Sequence, residues 1–319
     1  MSEPLVDILL ATYNGSRFVG EQIESIRRQT YMNWRLLVSD DCSTDGTLDV
    51  VKRFARIDSR IQIVSEGIKH GGAKENFFSL MRHSDSRYCM FCDQDDVWLP
   101  RKIANTFDLM RRLEGEHRDV PLLVFTDMKV VDGNLTTIHE SFECFSSIDP
   151  SRSRFPQVIA QSLGAGCTMM VNAETRDISL KIGSTDDVIM HDWWITLVAA
   201  AFGHIAYLDE ATSLYRQHGM NELGAVEYSP LKRASHFNQM TESVASTIRQ
   251  ARAFRDCYRD SLDLDKIESV DEFVAMGNTS GMSSVVHLLR SRCWKKGLRK
   301  VGQALVAAKG PEVKRKWGR

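Results

Sequence analysis

The chain has 319 residues, of which 43% are hydrophobic and 26% charged, and its formal net charge is -1. That apolar share fills a core for one large domain, or one domain with an appendage, and excludes a disordered chain. The balanced charge excludes a globally basic nucleic-acid binder.

The opening segment, MSEPLVDILL, lacks a basic stretch and runs straight into strand-like sequence, so no secretory signal is expected. No run reaches the ~20 apolar residues of a membrane-spanning helix. A cytoplasmic location is the resulting expectation.

Residues 5–11 predict a strand, followed by the turn Thr12-Tyr13-Asn14-Gly15-Ser16. Apolar residues at 18, 19, 23 and 26 predict a helix over 17–29. A second strand, 34–39, ends at Asp40-Asp41, and the turn Ser43 to Thr47 leads into a helix over 48–57. A third strand covers 61–65. The Gly-rich loop His70-Gly71-Gly72 precedes a helix over 74–83. A fourth strand, 88–92, ends at Asp93-Gln94-Asp95-Asp96. This βαβαβαβ alternation predicts an α/β fold with a doubly wound, mostly parallel sheet.

Beyond it lie a helix over 102–114, a strand over 122–132 and an irregular stretch over 134–156 that suits a substrate-covering loop. Strands over 163–172 and 207–215 flank a helix over 191–203. From Pro230 onward helices dominate, at about 231–260, 270–276, 281–292 and 297–308. The expected division is therefore a nucleotide-binding and catalytic domain over 1–225 and a helical C-terminal region over 226–319.

Residues 290–319 hold eleven Lys or Arg and one acidic residue, which leaves -11 for the rest. Tryptophans 294 and 317 stand among Lys295, Lys296, Arg299, Lys300, Lys314, Arg315 and Lys316. This basic tail reads as a peripheral membrane contact to anionic lipid, or equally as a solvated tail or a homo-oligomer contact. Of the seven cysteines, Cys89 and Cys92 form a lone CxxC. Without a second pair it does not make a zinc site, and packing within a strand is its ordinary reading.

The acidic residues gather just after strands, where ligands bind in open α/β sheets. Asp93, Asp95 and Asp96 crowd three carboxylates into four residues. A divalent cation such as Mn²⁺ or Mg²⁺ is the natural neutraliser, since it prefers oxygen ligands and bridges carboxylates to substrate phosphates. The competing reading is helix capping plus a solvated acidic loop.

Phe91-Cys-Asp93-Gln-Asp95-Asp96-Val-Trp98-Leu-Pro100 resembles the DxD region of family 2 glycosyltransferases, which have the Rossmann-like GT-A fold. So do Ala11-Thr-Tyr13-Asn14-Gly15, Gln29-Thr30 and Val38-Ser-Asp40-Asp41-Cys-Ser43-Thr-Asp45-Gly46. The DQDDVW form and Tyr215-Arg-Gln-His218-Gly look most like bacterial rhamnosyltransferases. The resemblance covers roughly residues 5–220 and extends to fold and reaction type.

It implies an inverting glycosyltransferase with a nucleotide diphosphate sugar donor and a glycan or lipid-linked glycan acceptor. By resemblance, Ala11, Tyr13 and Asp41 face the nucleotide base and ribose, Lys74 and Asn76 lie near the nucleotide, and Asp93 faces the ribose. Asp95 ligates the metal, with His218 beside it, and Arg216 reaches the pyrophosphate. Asp192 is the general base, although relatives often carry an acidic residue where His191 stands. Gly166 shapes the acceptor site, and Trp193 and Trp194 offer an apolar face to a sugar ring.

For each of these positions a structural role stays open: turn formation for Asp41, helix capping for Asp192, packing for the tryptophans. Two other classes remain. A non-catalytic carbohydrate or nucleotide-sugar module would keep the fold. A sugar-nucleotide nucleotidyltransferase would want a Gly-rich, basic phosphate loop after the first strand, where this chain has Thr-Tyr-Asn-Gly-Ser.

Overall fold

A computed structural model describes residues 3–218 and 237–311. The expected boundary near residue 225 lies outside the described residues. So do residues 231–236 of the expected helix over 231–260, and Lys314, Arg315, Lys316 and Trp317 of the tail.

Among the described residues nine strands form one sheet: β1 (Val6–Thr12), β2 (Trp34–Asp40), β3 (Ile61–Ser65), β4 (Tyr88–Cys92), β5 (Val97–Trp98), β6 (Leu122–Val131), β7 (Thr137–His139), β8 (Met169–Asn172) and β9 (His204–Arg216). Their order is β3-β2-β1-β4-β8-β6-β9-β5, with β7 paired to β6. The first four strands pair in parallel through the crossover helices Val19–Arg27, Thr47–Ile57 and Ala73–His83. Beyond β4 the sheet is mixed. β8 lies antiparallel between β4 and β6, β9 runs parallel to β6, and β5 is antiparallel to β9.

β1, β4 and most of β6 are buried along their length, as strands covered on both faces should be. Ile8, Leu10, Val38, Met90 and Val124 form the centre of this core, packed against Ile23, Ile26 and Val51 of the helices. Cys92 is a free thiol within this core, and Cys89 is a free thiol buried on the opposite face of β4.

The chain divides into two compact units. Among the described residues the first holds 3–147, 164–180 and 203–218, and so the whole sheet. The second holds 148–163, 181–202 and 237–311. Residues 148–163 and 181–202 thus group with the C-terminal helices and not with the sheet segments that flank them in sequence. The second unit is helical: Phe155–Ala160, His191–Phe202, Phe237–Tyr258, Leu264–Met276, Gly281–Ser291 and Arg299–Lys309. An aromatic cluster holds it together, with Trp194 and Phe254 at 5.2 Å, Phe155 and Phe254 at 5.6 Å, and Phe202 and Tyr258 at 5.4 Å between ring centres.

Two sequence expectations differ from the structure. The strand expected over 163–172 begins only at Met169, because Gly166–Thr168 forms a 3₁₀ turn. The stretch expected to be irregular over 134–156 contains β7 and a short helix, Phe142–Phe145. That helix is anchored by Asp127, whose Oδ1 accepts from the backbone N–H of Phe142 at 3.0 Å and Glu143 at 3.2 Å.

Candidate active site

β2, β1 and β4 are adjacent and parallel, so their carboxyl ends share one rim. Thr12 lies opposite Asp40 and Leu10 opposite Cys92, which brings the turns after the three strands together. The turn after β1 is laced to the turn after β2. Asn14 N–H donates to Ser43 Oγ at 2.8 Å, Gly15 N–H to Thr47 Oγ1 at 2.8 Å, and Ser16 N–H to Asp45 Oδ2 at 3.0 Å. Buried Asp40 accepts from Thr12 Oγ1, Ser43 Oγ and Ser43 N–H. It is a structural knot within the rim.

Gln94, from the acidic tetrad, clamps the same turn. Its Oε1 accepts from Tyr13 N–H at 2.9 Å and its Nε2 donates to Tyr13 O at 2.8 Å. A Cβ on Gly15 would meet Gln94 Oε1 at 2.1 Å, so any side chain here would push the Gln94 amide off this clamp. The clamp holds the Tyr13 backbone while its ring stays 57% exposed. Ala11, two residues earlier on β1, is half-buried.

Asp41 is almost fully buried, and its carboxylate is turned to protein. It accepts from His70 N–H, from Gly71 N–H at 3.1 Å and from Gly72 N–H at 2.9 Å. Gly71 and Gly72 have φ of +91° and +139°, which favour glycine. Both Asp41 oxygens thus fix the glycine loop at the rim. Asn76 is likewise buried and donates from Nδ2 to Ser39 O at 3.0 Å. Lys74 Nζ lies 3.1 Å from Glu75 at the start of the same helix.

After β4 the tetrad divides by environment. Asp93 and Asp95 are half-buried, whereas Asp96 is fully buried. Burial pushes the Asp96 carboxyl well above the usual range, with the charges of Asp95 and Asp93 adding to it. Its Oδ1 accepts from Arg216 N–H at 3.2 Å. Asp93, Asp96 and Cys167 bring ligand-type atoms within 4.8 Å of one another. Burial also pushes the Cys167 thiol well up. Burial that raises both the Asp96 carboxyl and the Cys167 thiol opposes the ionised forms that would hold a cation there.

Asp95 and His218, the two expected metal ligands, meet: Oδ2 and Nε2 are 2.8 Å apart, across 123 positions of sequence. β9 brings them together by pairing with β5 immediately after the tetrad. The His218 ring stacks on Phe18, with centres 4.7 Å apart and planes at 25°. Arg216 is buried and turned into the protein. Its Nε donates to Asp95 O at 2.8 Å, its Nη1 to Gly133 O at 2.9 Å and its Nη2 to Glu21 Oε2 at 2.5 Å. All three of its guanidinium nitrogens are thus engaged by protein oxygens. It is a positioning residue that ties β9, the tetrad and the first helix together.

The Asp95–His218 pair fits a divalent cation. As it stands the contact is a hydrogen bond; two ligands of one octahedral ion at about 2.1 Å stand about 3 Å apart, so the same two atoms reach a shared ion with little movement. A carboxylate with an imidazole suits Mn²⁺, and Mg²⁺ through the oxygens.

In the second unit, Asp192 stands in the first turn of the helix His191–Phe202. It is half-buried, and its Oδ1 accepts from Trp193 N–H at 2.6 Å. Trp193 is half-buried and donates from Nε1 to Val158 O at 2.7 Å. Trp194 is fully buried against Phe254 and Tyr258. It has no open face for a sugar, so that expectation is corrected. Gly166, in the first unit, is buried in the 3₁₀ turn.

Burial alone pushes His191 down to about 3 from about 6.5. Between those values the unfolded chain binds a proton that the folded chain excludes. Stability should therefore fall as pH drops from about 6.5 to about 3, by roughly 1.4 kcal/mol per pH unit. Melting curves of His191→Gln should show a flatter acid limb than the native chain, and an identical limb would contradict this.

Several contributors escape the sequence. Phe18 reads there as one apolar position of a helix, yet it carries the His218 ring and lies 4.7 Å from the Arg216 guanidinium. Lys102 is fully buried, donates to Thr212 Oγ1 at 3.1 Å and is pushed down to about 8 by burial. Its only sequence signal is a lysine on the apolar face of a helix.

Residues 7–146 match the family described as glycosyl transferase family 2. The dTDP-rhamnosyl transferase RfbG of Shigella flexneri is 31% identical over 227 residues, covering 68% of this chain and 74% of that protein. The UDP-Glc:alpha-D-GlcNAc-diphosphoundecaprenol beta-1,3-glucosyltransferase WfgD of Escherichia coli is 27% identical over 171 residues, covering 54% of this chain and 61% of that protein. Among solved structures, the 1–349 portion of S. aureus TarS in complex with UDP-GlcNAc aligns over 96% of this chain and 90% of its own, with a TM-score of 0.54 at 14% identity. The mannosyltransferase PcManGT of Pyrobaculum calidifontis, in complex with GDP-Man and Mn²⁺, aligns over 97% and 81%, with a TM-score of 0.51 at 16% identity. These two likenesses bear on the fold alone, which is GT-A. The chain is a glycosyltransferase and belongs to glycosyl transferase family 2.

Proposed function

We propose that the chain is an inverting hexosyltransferase of bacterial surface polysaccharide synthesis, with dTDP-L-rhamnose as donor and a glycan or lipid-linked glycan hydroxyl as acceptor. The observation that carries this reading is the Asp95–His218 pair at 2.8 Å on the rim where β1, β2 and β4 end. The rhamnosyl donor follows the likeness to RfbG over two thirds of the chain. The glucosyltransferase WfgD makes a UDP-hexose the second donor to test.

In this reading Tyr13 offers its exposed ring to the nucleotide base, and Asp41 holds the 70–72 loop beside it. Ala11 and Asp93 border the ribose, and Lys74 and Asn76 stand on the helix that follows the loop. Asp95 and His218 would hold Mn²⁺ or Mg²⁺, whose charge would offset the negative charge gained by the departing nucleotide diphosphate. Arg216 fixes Asp95 through its backbone carbonyl. Asp192 takes the proton of the acceptor hydroxyl as its oxygen bonds to the anomeric carbon. The carbon–oxygen bond to the diphosphate breaks on the opposite face, through an oxocarbenium-like carbon, and the anomeric centre inverts. Gly166 and Trp193 border the acceptor.

Nucleotide release from dTDP-rhamnose, UDP-glucose and GDP-mannose, with Mn²⁺ and with chelator, tests the proposal. The expected result is Mn²⁺-dependent release from dTDP-rhamnose above the other donors. Nucleotide binding without turnover on any of them would favour a non-catalytic module.

A further inference from the structure

The second unit carries a surface that the transfer chemistry does not use. Helices Gly281–Ser291 and Arg299–Lys309 pack on each other, the first also on Leu264–Met276 and the second on Phe237–Tyr258, and they bury Ser284, Leu288, Gln303, Val306 and Ala307. Their other sides expose large apolar side chains. Met282, Val286 and Leu289 are 77%, 36% and 58% exposed, and Leu298, Val301 and Leu305 are 60%, 56% and 55% exposed. Spacings of three and four residues put each trio in one narrow stripe along its helix. Gln303 fixes the connection between the two helices. Its Oε1 accepts from Lys295 N–H at 2.9 Å and its Nε2 donates to Cys293 O at 2.8 Å.

Charge accompanies these stripes. From residue 281 to 311 the sequence holds no Asp or Glu and seven Lys or Arg. Arg290, Arg292, Lys300 and Lys309 are exposed, and the Lys300 ammonium lies 4.5 Å from the centre of the Trp294 ring. Long basic side chains beside apolar rows, with an indole among them, are the composition of an interfacial helix. No described helix is long and apolar enough to cross a membrane.

We propose that this two-helix surface docks the protein on an anionic lipid bilayer, with Met282, Val286, Leu289, Leu298, Val301 and Leu305 entering the headgroup–acyl boundary and the basic residues meeting lipid phosphates. A second copy of the chain is the poorer partner, because two such surfaces bring like charges face to face. Nucleic acid is poorer too, because it offers nothing for the apolar stripes to bury against. The surface is formed by local helices and requires nothing of the donor site.

Flotation of the full chain with vesicles of phosphatidylcholine alone, or with roughly a third phosphatidylglycerol, tests this. The native chain is expected to float with the anionic vesicles and not with the neutral ones. The double variant Leu289→Glu, Leu305→Glu should lose at least tenfold in partition while its circular dichroism and nucleotide binding stay native. Because both positions are exposed, folding should survive. If it does not, Arg290→Gln with Lys300→Gln supplies the same test through charge. Flotation of the glutamate variant at the native level would overturn the proposal in favour of the tail beyond residue 311. Equal flotation with neutral vesicles would overturn its charge component. A native dimer by light scattering that the glutamate pair converts to monomer, with no flotation of the native chain, would assign the surface to a second copy.

Discussion

Asp95→Ala should remove at least roughly a thousandfold of turnover, or about 4 kcal/mol of transition-state stabilisation, with little loss of fold. The reason is local. Asp95 is half-buried, its carboxylate meets His218 at 2.8 Å, and its side chain is the member of the tetrad paired with an imidazole. Asp96, one residue on, is fully buried, turned to Arg216 N–H and pushed up towards its protonated form. It cannot take over the role of Asp95. Adding Mn²⁺ should therefore not rescue the variant, whereas native turnover should rise with Mn²⁺ and fall with chelator. Steady-state nucleotide release across a Mn²⁺ titration reads both, and native-like turnover in Asp95→Ala would remove this residue from the site.

Asp192→Asn should leave donor affinity within about twofold of native and lower transfer by roughly 10² to 10⁴, the usual contribution of a positioned general base. Asparagine keeps the side-chain oxygen that accepts from Trp193 N–H, so this contact in the first turn of the helix survives. What it lacks is a basic carboxylate. A structural role for Asp192 is distinguished by the pH profile. Loss of a base removes the acidic limb of the transfer rate, whereas loss of a structural contact lowers the melting temperature and leaves that limb in place. The neighbouring histidine does not substitute, because burial pushes His191 down to about 3 and leaves it a weak proton acceptor.

The first half of the fold was legible because it is written locally. Each β–α unit from Val6 to Cys92 places a buried apolar run, a turn and an amphipathic helix in succession, and parallel pairing follows from the crossovers. The second half depends on pairings distant in sequence. Nothing local in Met169–Asn172 indicates that it inserts antiparallel between β4 and β6, or that two residues, Val97 and Trp98, pair with β9. The helix Ala173–Ser179 is short and polar, and its main signal is the cap from Asn172 to Thr175 N–H at 3.1 Å.

The same division runs through the site. The family resemblance singled out Asp95 and His218 among the polar residues after strands, and the structure brings them together. Direction of a side chain is not written in residue type. Asp41 and Asp95 are both aspartates after parallel strands, yet one is turned to the 70–72 loop amides and the other to an imidazole. Arg216 and Trp194 lie within matching motifs, but their burial follows from partners such as Glu21 and Phe254 far away in sequence.

Calorimetric titration of dTDP into the protein, with and without Mn²⁺, tests most directly whether a divalent ion joins the Asp95–His218 pair to a nucleotide diphosphate. Mn²⁺ is expected to tighten binding to the native chain at least tenfold, about 1.4 kcal/mol, and to leave Asp95→Ala unchanged. Equal affinity with and without Mn²⁺ in the native chain would contradict the assignment at its centre.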